Sequence, residues 1–433
     1  MTSLMQDTLN FNRNININFN GGNLSSDTGL LIPRSFDQTI GFSKTIEDIF
    51  SGHNSHDHTD ADIIKQLIYT NIAGYHQDDA SDDLCDDPIF KEVLGKTNLA
   101  SQPTISRRIN GFTENNLEQF NGLVLDLLRK VYSRKAPKHV VLDIDSTHVE
   151  THGNQEENAY NFHYHSKGYH PLMLFDGLTG DLLRAKLRKG SVYTSEGVVE
   201  FLRPVLQWFE ESFPKVKLIL RADSGFACPE LYELLEEYRV YYVIRLKANN
   251  LLYQASYHVE EHFIETYGQD YTKTNAVFDS FPYQAASWEK ERRVACKIER
   301  KAGELYPKHH FLVTNLNLSP VQIVKAYQKR GNMENFIKEA KLDFGMDQLS
   351  HTSFVANAVK FSIKALAYNL ISFMKRLVLP KKQQKNRMLS IRYLLVKVAS
   401  KLTCSSRYKK ISICSSYPYK GLFNRVLQAI NNL

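Results

Sequence analysis

Two apolar runs in this 433-residue chain each stop on an aspartate: HVVLDIDSTHV reaches Asp145, and KVKLILRADSGF reaches Asp223. Charges at the ends of otherwise buried strands are costly unless a cation or a hydrogen-bond network compensates them. Two on neighbouring strands invite a metal ion, and carboxylate oxygens suit Mg²⁺ or Mn²⁺. The two-residue period of a strand puts Asp143 on the same face as Asp145, so Asp143 stays a rival for the first position. A third carboxylate, Glu334, lies in YQKRGNMENFIKEAK. Read as one helix at 100° per residue, that segment gathers Tyr327, Arg330, Glu334, Lys338 and Lys341 within an arc of about 80°. A solvated face explains the same residues, because Glu334 with Lys338 and Arg330 with Glu334 make surface pairs worth only ~0.2–0.5 kcal/mol each.

The elements that must position these groups follow from the surrounding pattern. After HVVLDIDSTHV, the segment YHPLMLFDGLTGDLLRAKLRKG reads as a hairpin closed near Gly177 to Gly180, and SEGVVEFLRPVLQWFEESF as an amphipathic helix. KVKLILRADSGF is then a strand, CPELYELLEEYR a helix and VYYVIRLKAN a strand. Three strands followed by helix, strand, helix, strand is the order of an RNase H-like α/β fold with a mixed sheet. The expected organisation is a β-rich or irregular lead-in over 1–45 and a helical domain over 46–136. A first catalytic segment over 137–250, a β-rich insertion over 251–312, a second catalytic segment over 313–375 and a basic helical region over 376–433 follow.

With 42% hydrophobic and 23% charged residues, disorder is excluded as the main state. The best membrane candidate, from Ile363, is broken by Lys364, Lys375 and Arg376, short of the roughly 20 apolar residues a bilayer requires. The N-terminus lacks the basic-then-apolar pattern of a signal peptide. Five cysteines without CxxC spacing fit a reducing cytoplasm rather than a disulfide framework or zinc knuckle. The formal charge of +7 is uneven, for residues 348–433 hold 16 Lys or Arg and no acid, while the remainder holds 38 basic and 47 acidic residues. A tail of that kind suits a polyanion, with a solvated helical face as the plainer explanation. Within the helical domain, 87–113 resembles a helix-turn-helix, and Arg107 and Arg108 are its candidate DNA contacts. Simple packing of two helices accounts for it equally well.

The spacing Tyr327-x2-Arg330-x3-Glu334-x6-Lys341, following strands that end in Asp145 and Asp223, resembles the DDE transposases of bacterial insertion sequences. Within them it is similar to the cut-and-paste group with a YREK signature and an insertion before the Glu. The resemblance implies that Asp145, Asp223 and Glu334 bind two Mg²⁺ ions, with Mn²⁺ as a substitute. It ranks Asp145 above Asp143, because Asp145 directly precedes the Ser-Thr pair. It also implies that Tyr327, Arg330 and Lys341, with Lys338 beside them, meet phosphates near the scissile bond. One cation would activate water and another would stabilise the leaving 3′ oxygen, so cleavage and strand transfer need no covalent enzyme intermediate. The implied partners are terminal inverted repeats and target DNA, with a homodimer in the DNA complex, no membrane, and a prokaryotic cytoplasm at the nucleoid. Rivals are an RNase H-like nuclease that cuts without joining, and a DNA-binding protein that keeps the fold without catalysis.

Other chemistry-bearing residues have plainer readings. His53, His56 and His58 with Asp57, Asp60 and Asp62 suggest a metal site or an acidic helix start. His163, His165 and His170, near Lys167, are DNA contacts or ordinary strand residues. Related transposases stack an extruded base on an aromatic of the insertion, which makes Trp288 a DNA-binding candidate against packing with Phe278, Phe281 and Tyr283. Cys228 reads as a small apolar residue.

Overall fold

Apolar side chains fill HVVLDIDS except at its acids, and the run forms a central strand, β1 (His139–Ser146), buried from Val140 to Ile144. The computed structural model describes residues 7–50, 58–268 and 270–433. These form two units, one of the residues up to Ile109 together with Met374–Leu433, the other of Asn110–Phe373.

In the second unit the hairpin predicted after β1 is β2 (Leu172–Asp176) and β3 (Leu182–Lys186). Next come α1 (Val198–Ser212), β4 (Lys217–Ala222), α2 (Pro229–Glu237) and β5 (Tyr241–Leu246). Helix α1 buries Phe201, Leu202, Val205, Leu206 and Phe209, an apolar stripe at helical spacing, and α2 starts with Pro229, whose missing N–H is no loss in a first turn. Strands β6 (Asn275–Tyr283), β7 (Arg292–Arg300) and β8 (Lys308–Thr314) complete an eight-stranded sheet ordered β6-β7-β8-β5-β4-β1-β2-β3. Within it, β4 runs parallel to β1 and β5, and β2 antiparallel to β1. The block β3-β2-β1-β4-β5 is the RNase H-like core.

Two differences from the expected pattern concern the insertion and the helix that carries Glu334. The insertion opens with helices Asn250–Ala255 and Tyr257–Tyr267, the first N-capped by the Asn249 side chain, and its three strands extend the main sheet through β8 against β5. The expected single helix is two, α3 (Pro320–Gln328) and α4 (Asn332–Phe344), separated by a 3₁₀ turn at Lys329–Gly331. Gly331 is a poor helix former at the break. The helix Glu114–Arg134 belongs to this unit rather than to the N-terminal helical domain, with Tyr132 against Trp208, Phe209 and Phe213.

In the first unit, helix Leu31–Ile40 already lies within the segment expected to be β-rich or irregular. The C-terminal region is not wholly helical: strands Ser400–Cys404 and Lys409–Ile413 pair with each other, and the former pairs with Leu24–Ser25. Gly29 permits this closure, because a Cβ there would lie 1.6 Å from the Leu395 carbonyl oxygen. Arg392 donates to the carbonyls of Ile72 and Asn71 at the end of helix Asp60–Ala73.

The main sheet contains a buried charge pair. In the parallel register Asp143 stands opposite Arg221, and they bond at 2.7 Å (Nε to Oδ1) and 2.6 Å (Nη2 to Oδ2). Gly177 leaves room for them, since a Cβ there would stand 2.1 Å from Asp143 Oδ2 and 2.6 Å from Arg221 Nη2. Gly177→Ala is therefore expected to destabilise the protein by about 3–5 kcal/mol, the usual cost of breaking a buried pair. Gly122→Ala, at an open helical position, should stabilise it by about 0.5–1 kcal/mol. Urea midpoints measure both, and equal effects at the two sites would contradict the role given to Gly177.

Candidate active site

β1 and β4 each pass their last buried residue and present an acid. Asp145 closes β1, where its own Oδ1 accepts the Ser146 N–H at 2.9 Å. Asp223 follows β4 and caps the short turn Ser224–Phe226, with Oδ1 accepting the Gly225 N–H at 2.9 Å. Arg330, in the turn between α3 and α4, reaches both: its Nη2 lies 2.9 Å from Asp145 Oδ2 and 3.9 Å from Asp223 Oδ2. Neither Nη2 nor Nε of Arg330 has an aligned hydrogen-bond acceptor, so the contact is a charge contact with donor capacity left over.

The electrostatics match this geometry. Burial pushes the Asp145 carboxyl up to about 6; Arg330 opposes the shift, and the neighbouring charges of Asp223 and Glu334 add to it. Burial also raises the Tyr327 phenol, with Asp223 and Asp145 among the charges acting on it. Tyr327 packs against the buried cluster of Val243, Ala295, Leu312, Ile323 and Val324. Glu334 is exposed in the first turn of α4, and among the described residues it makes no ion pair with Lys338, which is also exposed. Lys341, on the same face of α4 as Glu334, donates from Nζ to the His148 carbonyl at 2.7 Å.

Burial sets Asp143 apart from Asp145. Asp143 is fully buried and bound at both oxygens by Arg221, whereas Asp145 faces the side where Asp223, Glu334 and Arg330 gather. Hard oxygen donors that carry like charges and share a single guanidinium suit a divalent cation. Among the described residues no group of three or more His, Cys, Asp or Glu side chains stands close enough to hold a metal ion. Asp145 and Asp223 share Arg330, and Glu334 acts on Asp145 through its charge.

Other expected contacts fare differently. Trp288, expected as a base-stacking candidate, is 7% exposed, with Tyr232 and Tyr283 edge-on to its ring and Arg292 over it. Arg107 is exposed, but Arg108 is committed internally, to Asp60 at 3.5 Å and to the His58 carbonyl at 3.1 Å. The helices Pro88–Leu94 and Gln102–Gly111 flank the expected turn. Asp62 forms a capping box with Thr59, which supports the helix-start reading, while His53, His56 and Asp57 lie outside the described residues. Arg221, His148 and Tyr164 were not singled out by the sequence; the paired spacings Asp143-x-Asp145 and Arg221-x-Asp223 were the available signal for the first.

The second unit thus carries an RNase H-like sheet with an acid at the end of each of two neighbouring parallel strands. The chain belongs to the Transposase DDE domain group 1 family, whose model matches residues 7–433, and it is a DNA transposase. No curated protein matches it. Among solved structures it is similar to the piggyBac transposase synaptic complex with hairpin DNA, at 14% identity over 86% of this chain and 80% of that one, with a TM-score of 0.43. It is also similar to the catalytic domain of Mos1 mariner transposase, at 12% identity over 37% of this chain and 74% of that one (TM-score 0.19). The Mos1 mariner paired end complex with Mn aligns at 12% identity over 50% of this chain and 76% of that one (TM-score 0.19).

Because the folded protein holds the Asp145 proton more tightly than an unfolded chain does, its ionised form costs stability above about pH 6, and that cost is relieved as pH falls through it. In the metal-free protein, Asp145→Asn should therefore have the higher Tm near pH ~7.5, and the gap should narrow as pH falls below about 6 and close only near the ordinary carboxylate value of 3.8. A gap independent of pH would mean that Asp145 titrates as a solvated carboxylate.

Proposed function

We propose that this transposase cuts and joins DNA at a site formed by Asp145, Asp223 and Glu334, acting on the terminal inverted repeats of an insertion sequence. The supporting observation is the convergence of Asp145 and Asp223 on one guanidinium, with Glu334 close enough to raise the Asp145 carboxyl. The three carboxylates would hold a divalent cation, Mg²⁺ with Mn²⁺ able to replace it, which supplies positive charge for polarising a phosphoryl oxygen and easing deprotonation of the nucleophile. Arg330, with donors left over, would turn them on the scissile phosphate, while Tyr327, Lys338 and Lys341 hold the flanking backbone in line for attack. A 3′ hydroxyl freed in the first step can occupy the nucleophile position in the second, so joining reuses the same groups.

Cutting at two ends calls for two such sites, which favours a homodimer in the DNA complex. Target DNA is the other partner, and a prokaryotic cytoplasm, at the nucleoid, is the setting. No helix among the described residues is long and apolar enough to cross a membrane.

Glu334→Gln is expected to lower metal-dependent nicking of end DNA on the order of 10³-fold while binding to those ends persists. Nicking at the wild-type rate would remove Glu334 from the site. Wild-type protein should also join 3′ ends to target DNA; cutting without joining would favour the nuclease reading, and binding without cutting the non-catalytic one. For the basic C-terminal region, replacing the exposed Lys381, Lys382 and Lys385 by Ala should flatten the salt dependence of DNA affinity by about 0.9 in log–log slope for each lysine that meets a phosphate. An unchanged slope would take that segment out of the interface.

A further inference from the structure

Two residues past Asp145, at Thr147, the chain enters the wall of a cleft of about 510 Å³, shared by His148, Tyr164, Ser166 and Lys341, with Glu150 and Asp347 also on its walls. His148 is 7% exposed. Its Nε2 meets Ser166 Oγ at 2.7 Å, while its buried Nδ1 has no hydrogen-bond partner. With the Ser166 hydroxyl donating to Nε2, the neutral ring carries its proton on Nδ1. That donor is left unpaired inside the wall, at a cost of about 1–3 kcal/mol.

The same imidazole fixes Tyr164. The two rings stack at 4.9 Å with planes 15° apart, and His163 and His170 meet the phenol edge-on at 4.8 and 6.3 Å. The next residue, His165, holds φ at 54°, a left-handed conformation that a non-glycine residue keeps only when its surroundings impose it. Burial and the charges of Asp145 and Asp223 raise the Tyr164 phenol, so its hydroxyl stays protonated and able to donate. Lys341 spends one of its three ammonium donors on the His148 carbonyl. Asp347 acts on Lys341 and Glu150 on His148, offsetting part of the positive charge, so the cleft selects through directed hydrogen bonds more than through net charge.

We propose that this cleft is a phosphodiester subsite of the DNA path, in which the Tyr164 hydroxyl and Lys341 Nζ hold a backbone phosphate adjacent to the scissile one, with the His148 ring positioning Tyr164. The proposal rests on the reading of Asp145, Asp223 and Glu334 as the cleavage site, and it adds Tyr164 as a residue that touches the substrate and His148 as one that positions it. Tyr164→Phe keeps the ring and its stack while removing the donor. It should leave the Tm unchanged and slow nicking by about tenfold to a hundredfold, as expected for a hydrogen bond to an anion. End DNA carrying a neutral methylphosphonate at one flanking position at a time supplies the discriminating readout. At one position the substitution should impair wild-type protein yet add little to the Tyr164→Phe defect, in nicking rate and in binding affinity alike. Ser166→Ala, which removes the hydroxyl that orients the His148 ring beneath Tyr164, should couple to that same position. A Tyr164→Phe protein at the wild-type rate and affinity, or defects that add independently at every position, would overturn the subsite. If Glu334→Gln still nicked, the cleavage-site reading would fail separately, and coupling in the binding measurements would still decide for or against the cleft.

Discussion

The pairing of Asp143 with Arg221 is the interaction on which the rest of the catalytic unit depends. In the parallel ladder of β1 and β4 these two residues are register partners, so opposite charges meet at one level of the sheet. A slip of one residue would turn every side chain to the other face and strand both charges. Two residues further along each strand stand Asp145 and Asp223, which share a sign. The register that satisfies the first level therefore brings two carboxylates toward each other at the next, where a cation or protonation relieves them.

Arg330 is that cation in the folded chain, and the break between α3 and α4 delivers it. A continuous helix would carry Tyr327, Arg330, Glu334 and Lys341 as one stripe; the 3₁₀ turn instead lets Arg330 reach toward the strands while α4 begins afresh with Glu334 in its first turn. A helix start favours an acidic side chain. The proposed site therefore combines a half-buried, reluctantly ionised Asp145, a half-exposed Asp223 and an exposed Glu334. Such conflict among like charges stores a cost in the folded protein that a bound cation would offset, which is a common feature of active sites.

The first unit follows a different logic. Its N-terminal strand Leu24–Ser25 lies against Ser400–Cys404, and Arg392 caps a helix that ends more than 300 residues earlier in the chain. The basic C-terminal segment is thus part of a folded body with β structure, and its charges are mounted on that framework rather than on a loose tail. Lys397 and Lys409 already pair with Asp27 and Glu92, so some of its charge serves the fold.

Much of the catalytic sheet was legible in the sequence because its strands are short apolar runs and its helices have clear 3.6-residue periodicity, signals that depend only on neighbouring residues. Glu114–Arg134, β1, the β2–β3 hairpin and α1 follow that local pattern. The helices at Asn250–Ala255 and Tyr257–Tyr267 were missed because their polar, aromatic-rich composition carries weak periodicity. Residue type and spacing also singled out Asp145, Asp223 and Glu334, but could not separate Asp145 from Asp143, since alternate residues of a strand share a face. Only the neighbouring strand distinguishes them: Arg221 occupies Asp143 and leaves Asp145 without that partner, just as aromatic packing surrounds Trp288. Local sequence sets which groups can do chemistry; which of them remain available depends on partners brought near by folding, whose identity no local pattern contains.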